Sequence, residues 1–374
     1  MKNKKENQNP IKVYLQYPWR FPDSPYYKYL LANTPEGIEY LNVKKQKGVI
    51  TNKKVFWLSN FLKRNIRRFF FLSRTSIPNA HLTRAKNRGD LIHCAHCLSL
   101  NRKTPWVADI ECGWQMYVGK SNKISKFLVG KILKRKNCKK ILPWTETTAQ
   151  ELVREFPEIK NKIEVVYPAL PIPQLKKRKH SEINLIFVAR YFEAKGGYTA
   201  LKVIDNLTKK YKNVRGIFVS EVPKEILEQY SKNKKITFYG LMPQSELFEK
   251  VYSVGDILVY PGYSDSFGFA FLESMSFGIP IVTVDGTARK ELIEQGKTGF
   301  VINCSKITWT KKGPVIENEE GLIEKINSQV EVLIKNKNLI KKMSENCIKE
   351  VKEGKFSIKQ RNTKLKKVYR ETIK

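Results

Sequence analysis

From Asn184 onward the chain alternates between short apolar runs and longer stretches in which apolar residues return every three or four positions. The runs at 184–189, 214–219, 236–239, 257–260 and 281–284 are rich in β-branched residues and predict strands buried on both faces. The stretches at 198–210, 224–231, 245–252, 269–277 and 289–294 predict the helices between them. Regular alternation of the two predicts a parallel, doubly wound α/β domain, whose ligands bind outside the carboxyl ends of the strands.

The first half repeats this rhythm less cleanly. Strands are expected at 11–15, 55–58, 91–94, 106–110, 140–142 and 163–166, which implies a second Rossmann-like domain. Between the halves runs Tyr167-Pro168-Ala169-Leu170-Pro171-Ile172-Pro173, followed by the basic stretch 176–179. Prolines remove backbone donors and stop helices, so this is read as a linker. The expected domains are 1–170 and 182–354, joined by the linker 171–181. A last amphipathic helix in 355–374 is set off by Gly354. No tandem repeat is visible.

Composition narrows the partners. The formal charge of +35 over 374 residues points to phosphate-rich ligands: nucleic acid, anionic lipid or a nucleotide-linked substrate. Lysines are spread along the whole chain and no nucleic-acid-binding signature accompanies them, so nucleic acid is not expected. The polar start MKNKKENQNP and the lack of an apolar window of about 18 residues predict a cytoplasmic or peripheral protein. The six cysteines are scattered and read as reduced thiols. The cluster His93-Cys94-Ala95-His96-Cys97 has no second ligand pair at zinc spacing, and it closes an apolar run in which cysteine behaves as a small hydrophobe.

Candidate chemistry concentrates in two turns. In Tyr260-Pro261-Gly262-Tyr263-Ser264-Asp265-Ser266-Phe267-Gly268, a buried strand passes into a helix, and the turn offers backbone amides to a diphosphate. Asp265 stands in that turn and Glu273 about two helical turns further on. After the strand at 184–189, Arg190 and Lys195 lie beside Gly196 and Gly197, two cations suited to a departing diphosphate. All four residues are expected at one edge of one sheet.

The segments FVARYFEAKGG (187–197), ITFYGLMPQSEL (236–247), DILVYPGYSDSFGFAFLESMSFGIPIVTVDG (256–286) and ELIEQGKTGFVI (291–302), in this order, resemble the family 4 retaining glycosyltransferases; KIEVVYPALPIP (162–173) is similar to that family's interdomain entry. The resemblance implies the GT-B fold, two Rossmann-like domains facing across a cleft, with the C-terminal helix returning to the N-terminal domain. It implies that Glu273 holds the donor ribose and Asp265 faces the transferred sugar. Arg190, Lys195 and amides near Ser266, Phe267 and Gly268 would meet the diphosphate, and Gly240, Leu241 and Met242 would lie along the base. One departure stands out. The family pattern is Glu, seven residues, Glu, and this chain has the shorter Asp265 first.

The first half resembles the family less closely. Asp90-Leu91-Ile92-His93 is similar to its strand ending in His, which puts His93 on the acceptor side. Residues 105–111 align with a segment in which many members carry a His near the anomeric centre, and here Glu111 stands there: either it takes over a polar role at the reaction centre, which is the reading favoured, or the acceptor is handled differently. The family's Gly-Gly loop is replaced by an aromatic, proline-rich loop at 18–27. The implied activity is transfer of a sugar, with retention, from a nucleotide-diphosphate donor to a glycan or lipid-linked acceptor, with Glu111, Asp265, Arg190 and Lys195 at the reaction centre. No cofactor and no essential metal are implied. The basic and aromatic stretch 61–74 is expected to suit an anionic membrane surface or, equally, to be an ordinary helix packed on the sheet. Competing readings are a catalytically silent sugar-nucleotide binder, a sugar-nucleotide epimerase and a nucleic-acid-binding protein.

Overall fold

The computed structural model describes residues 9–17, 25–43, 75–83, 88–175, 177–304, 306–310 and 313–374, with scattered positions between 57 and 73. The proline-rich loop at 18–24, Lys176 and much of 61–74 lie outside the described residues. The chain divides into two units, Met1–Ala169 with Ile358–Lys374, and Leu170–Ser357.

The first unit contains β1 (Ile11–Gln16), α1 (Pro25–Ala32), β2 (Ile38–Leu41), the short strands β3 (Ile77–Pro78) and β4 (Ala80–His81), then β5 (Leu91–Ala95), β6 (Leu98–Ser99), β7 (Trp106–Ile110), β8 (Tyr117–Val118), α2 (Lys123–Leu133), β9 (Cys138–Pro143) and α3 (Glu146–Glu155). Five strands form a parallel sheet in the order β2-β1-β5-β7-β9. Every residue of β5 and of β7 is buried, as expected of central strands covered on both faces. The C-terminal helix, Ile358–Ile373, packs into this unit. Arg361, Leu365, Val368, Tyr369 and Thr372 recur at helical spacing on its buried side. Arg361 donates to the carbonyl of Asn33 at 2.6 Å, and Lys364 to that of Val165 at 3.0 Å. The Tyr369 hydroxyl lies 2.7 Å from Nδ1 of His93 and 3.0 Å from the hydroxyl of Tyr40, tying the helix to β5 and β2.

The second unit runs β10 (Ile183–Val188), α4 (Gly197–Lys210), β11 (Val214–Val219), α5 (Lys224–Tyr230), β12 (Ile236–Tyr239), α6 (Gln244–Leu247), β13 (Ile257–Tyr260), α7 (Phe269–Ser276), β14 (Ile281–Val284), α8 (Arg289–Leu292), β15 (Gly299–Ile302), the hairpin β16 (Ile307–Thr310) and β17 (Gly313–Ile316), α9 (Glu319–Lys335) and α10 (Lys337–Lys352). Its parallel sheet has the order β12-β11-β10-β13-β14-β15. Strand order therefore reverses between β10 and β13, and the loops leaving these two neighbours diverge around a crevice at their carboxyl ends.

Three expectations need correction. The stretch 163–166 is extended but forms only one bridge, Ile163 to Ile141, beside bonds from Glu164 N to the Ile141 carbonyl and from Val166 N to the Pro143 carbonyl, each 3.0 Å. Pro143 has no N–H to return to Glu164, which cuts the ladder short. Of the strand expected at 55–58, only Trp57 is described, and it is helical; its ring stacks on Phe61, four residues on, at 5.0 Å. The helix expected at 245–252 is α6 followed by a π turn, Phe248–Tyr252, which turns Tyr252 inward.

Replacing Tyr369 by Phe removes one hydroxyl and leaves buried His93 Nδ1 and the Tyr40 hydroxyl short of a partner. We expect a loss of about 1–3 kcal/mol of stability, read from urea unfolding. A loss below ~0.5 kcal/mol would mean that the Tyr369 hydroxyl adds nothing to the hold that Arg361, Lys364 and the apolar contacts already provide.

Candidate functional site

The loops after β10 and β13 are zipped together. The Gly262 amide donates to the carbonyl of Lys195 at 2.9 Å, and the Ser264 amide to that of Ala194 at 3.1 Å. Close approach demands glycine on one side. Gly196 has φ +74°, and a Cβ there would lie 2.6 Å from Cβ of Pro261. Both loops open into helices, α4 after Gly196 and α7 after Gly268, neither capped by a side chain. Two helix N-termini with their amides and positive dipole ends thus emerge from adjacent loops.

The predicted cation and acid meet at this zipper. Lys195 Nζ lies 2.5 Å from Oδ1 of Asp265 and 3.3 Å from the carbonyl of Ser264. The Tyr260 hydroxyl donates to Oδ2 of Asp265 at 2.5 Å. Burial, reinforced by the adjacent Asp265, pushes Tyr260 well above the ordinary phenol pKa, so it stays a donor. Each Asp265 oxygen keeps a further acceptor position, and an ammonium has a third N–H beyond the two contacts of Lys195. Arg190 stands half-buried two residues past β10.

Glu273 lies in α7 with 8% of its surface open. Gln244 Nε2 donates to its Oε1 at 2.6 Å and the Tyr252 hydroxyl to its Oε2 at 3.2 Å. Gln244 opens α6 just past Gly240, Leu241 and Met242, so the stretch expected along the base adjoins the acid expected on the ribose. Ser266 is half-buried and Phe267 buried. Gly268, at φ +82°, is the residue from which α7 starts. The structure therefore gathers Lys195, Asp265, Ser266, Phe267 and Gly268 at the β10/β13 edge, with Arg190 earlier on the loop that carries Lys195 and Glu273 further along α7.

Sequence reasoning missed Arg289. Only 3% exposed, it donates through Nη1 to the carbonyls of Asp265 (3.0 Å) and Gly286 (2.8 Å), and through Nη2 to the carbonyl of Gly262. Burial draws its pKa down and Asp265 opposes that shift; a guanidinium stays charged even so. It staples both ends of the Gly262–Asp265 turn. Its signal was the spacing Arg289, Leu292, Ile293, which puts a cation on the apolar side of a helical period.

In the first unit, His93 and Glu111 have different surroundings. His93 is fully buried in β5, with Nδ1 on Tyr369 and Nε2 3.4 Å from Asp109 Oδ2. Asp109 in β7, 1% exposed, also lies 2.7 Å from the Tyr27 hydroxyl through either oxygen and accepts from the His96 amide at 3.0 Å. Burial alone would raise its pKa, but His93, His96 and the Tyr27 hydroxyl outweigh it and hold the carboxyl below its ordinary value. Glu111, half-buried just past β7, has its amide on Gln115 Oε1 at 2.9 Å, its carboxylate 3.4 Å from Gln115 Nε2, and its carbonyl on the Thr148 hydroxyl at 2.8 Å. Cys94 and Cys97 are buried against the side chain of Gln16, and burial raises the Cys94 thiol. Among the described residues, no group of three or more His, Cys, Asp or Glu is placed to hold a metal.

Residues 172–313 match the family described as glycosyl transferases group 1. An uncharacterized glycosyltransferase of Haemophilus influenzae is 28% identical over 189 residues, 50% of this chain and 53% of that protein. Sulfoquinovosyl transferase SQD2 of Arabidopsis thaliana is 32% identical over 108 residues, 28% of this chain and 21% of that protein. The chain spans about half or less of the length of these relatives. Among solved structures, a glycosyltransferase from Rickettsia africae ESF-5 aligns with TM-score 0.63 at 15% identity, over 98% of this chain and 100% of that one. Anabaena HepE in complex with UDP-glucose aligns with TM-score 0.60 at 13% identity, over 96% and 99%. The molecule thus has the GT-B fold, two Rossmann-like units in one chain. The match to glycosyl transferases group 1 falls within its second unit.

Two variants test this geometry. Arg289→Lys keeps a cation but loses the fork that reaches several carbonyls, so we expect about 2–4 kcal/mol lower stability and faster proteolysis within 262–268. Wild-type proteolysis would remove the staple. Asp109→Asn is expected to cost about 2–4 kcal/mol at pH 7. Because the folded pKa is lowered, the stabilisation is full above the unfolded value near ~4 and fades as pH falls through the folded value. The gap between wild type and variant, read by chemical denaturation, should therefore narrow from pH 7 towards pH 3, and a gap that widens in acid would contradict the sign.

Proposed function

We propose that this protein is a retaining glycosyltransferase that moves a sugar from a nucleotide-diphosphate donor to a glycan or lipid-linked acceptor. The observation that carries this reading is the crevice between β10 and β13, where Lys195 and Asp265 are paired between two uncapped helix N-termini. Uridine-diphosphate sugars are the first donors to try, since HepE is described with UDP-glucose.

In the proposed reaction the diphosphate lies against the starts of α4 and α7, with Arg190 and the remaining Lys195 donor on its oxygens. Glu273, already oriented by Gln244 and Tyr252, takes the ribose hydroxyls, and the base runs along Gly240, Leu241 and Met242. Asp265, fixed by Lys195 and Tyr260, accepts from a hydroxyl of the transferred sugar. The bond from the anomeric carbon to the diphosphate oxygen breaks as the acceptor oxygen bonds on the same face. The acceptor's proton passes to the departing diphosphate. Growing charge on the leaving group is met by cations and amide dipoles already in place. Glu111 is proposed on the acceptor side. His93 contributes from the core, through Tyr369 and Asp109.

A lipid-linked acceptor fits the stretch 61–74, where the described Phe61, Ile66 and Phe69 are exposed. No helix of the described residues is long and apolar enough to cross a membrane.

Nucleotide release measured over a panel of UDP-, GDP- and ADP-sugars tests the reading. One donor should turn over, and Glu273→Ala and Lys195→Ala should each lower the rate at least about tenfold, the loss of a charge-assisted contact of roughly 1.5–3 kcal/mol. Wild-type rates in both variants would sink the site assignment. Donor binding without turnover by the native chain would instead favour a silent sugar-nucleotide binder, a reading to which the shorter Asp265 lends weight.

A further inference from the structure

Helix α2, Lys123–Leu133, buries one side and leaves an unusual other side. Asn122 caps it by accepting from the Ser125 amide, and Ser125, Val129, Gly130, Ile132 and Leu133 face the unit's interior. On the outward arc Ile124 is 70% exposed, Phe127 60% and Leu128 39%. A helix placed to cover the sheet ordinarily turns polar residues to water; here three large apolar side chains stand there at i, i+3 and i+4.

Between them stand lysines. Lys123 flanks the stripe, and Lys131 Nζ lies 4.4 Å from the centre of the Phe127 ring. The helix contains no Asp or Glu. Lys126 and Lys134, towards the edge, pair with Glu155 and Glu158 at 3.0 and 3.1 Å. Among the described residues no carboxylate lies within ion-pair distance of Lys120, Lys123 or Lys131. Other exposed apolar side chains stand in neighbouring segments. α2 packs beside β3, whose Ile77 is exposed, and a Cβ on Gly119 would lie 3.0 Å from Cβ of Phe70, next to exposed Phe69.

We propose that the outward face of α2 docks on an anionic lipid bilayer, with Ile124, Phe127 and Leu128 entering the interface and Lys120, Lys123 and Lys131 meeting lipid phosphates. Apolar side chains ringed by unpaired cations match the two layers of a bilayer surface, acyl chains below and anionic headgroups above. A second copy of this chain is a poor occupant. Each molecule carries a formal charge of +35, and a self-contact here would set lysines against lysines. The inference deepens the membrane reading proposed for 61–74 and rests on it, but it assigns the contact to a different element.

The test is co-sedimentation of the full chain with vesicles of phosphatidylcholine alone or mixed with phosphatidylglycerol. Wild type should pellet with the mixed vesicles and lose binding as salt rises. The pair Ile124→Glu with Phe127→Glu should lower vesicle affinity at least about tenfold, and the pair Lys123→Glu with Lys131→Glu comparably, while unfolding midpoint and donor turnover stay at wild-type values. Phe69→Glu is the control for the neighbouring segment. If both α2 pairs bind like wild type while Phe69→Glu does not, the α2 proposal falls and the reading of 61–74 stands. If wild type binds neither kind of vesicle, both fall. If wild type is a dimer in solution that the α2 pairs dissociate, the face is a contact between copies and the lipid proposal is overturned.

Discussion

The second unit depends on one constraint: two loops that leave neighbouring parallel strands must separate around a ligand space and still be held in register. Backbone bonds from Gly262 and Ser264 to the carbonyls of Lys195 and Ala194 provide the register, and the Lys195–Asp265 pair closes it with charge. The rest follows from that closure. Gly196 is needed for the approach, Tyr260 and Arg289 hold the turn from below and behind, and both helix starts are presented side by side. The arrangement is set before any ligand arrives, and such preorganisation is what the function proposed above would ask of it.

Much of this was legible in the sequence because parallel strands covered on both faces are nearly continuous apolar runs, as in Ile257–Tyr260 and Ile281–Val284. Residues in the loops that leave such strands inherit their placement, so Lys195 and Asp265 could be assigned to one edge without coordinates, with Glu273 on the helix beyond. What could not be read was second-order. Arg289 binds carbonyls, and carbonyls carry no sequence identity. Gln244 and Tyr252 reach Glu273 from a helix that breaks into a π turn, a register change that periodicity does not announce. The strand expected at 163–166 failed on a missing hydrogen atom at Pro143 that lies on its partner, not on itself.

The first unit differs in kind. Its carboxylate, two histidines and tyrosines are drawn inward around Asp109, where a charge survives burial only because several donors converge on it. A sequence reading that lines up His93 with a family strand finds the position but not its depth. Two buried hydroxyls from far apart in the chain, Tyr27 and Tyr369, decide that depth.

The chain enters the first unit, leaves it at Ala169 to build the second, and comes back at Ile358. During synthesis, therefore, Tyr40, His93 and the carbonyl of Asn33 must wait, unmatched, through the translation of 188 intervening residues, Leu170–Ser357, before Tyr369 and Arg361 are made. The second unit has no such debt and can fold as soon as it is complete. The half that begins first is thus the one that closes last, a reversal of the usual vectorial order.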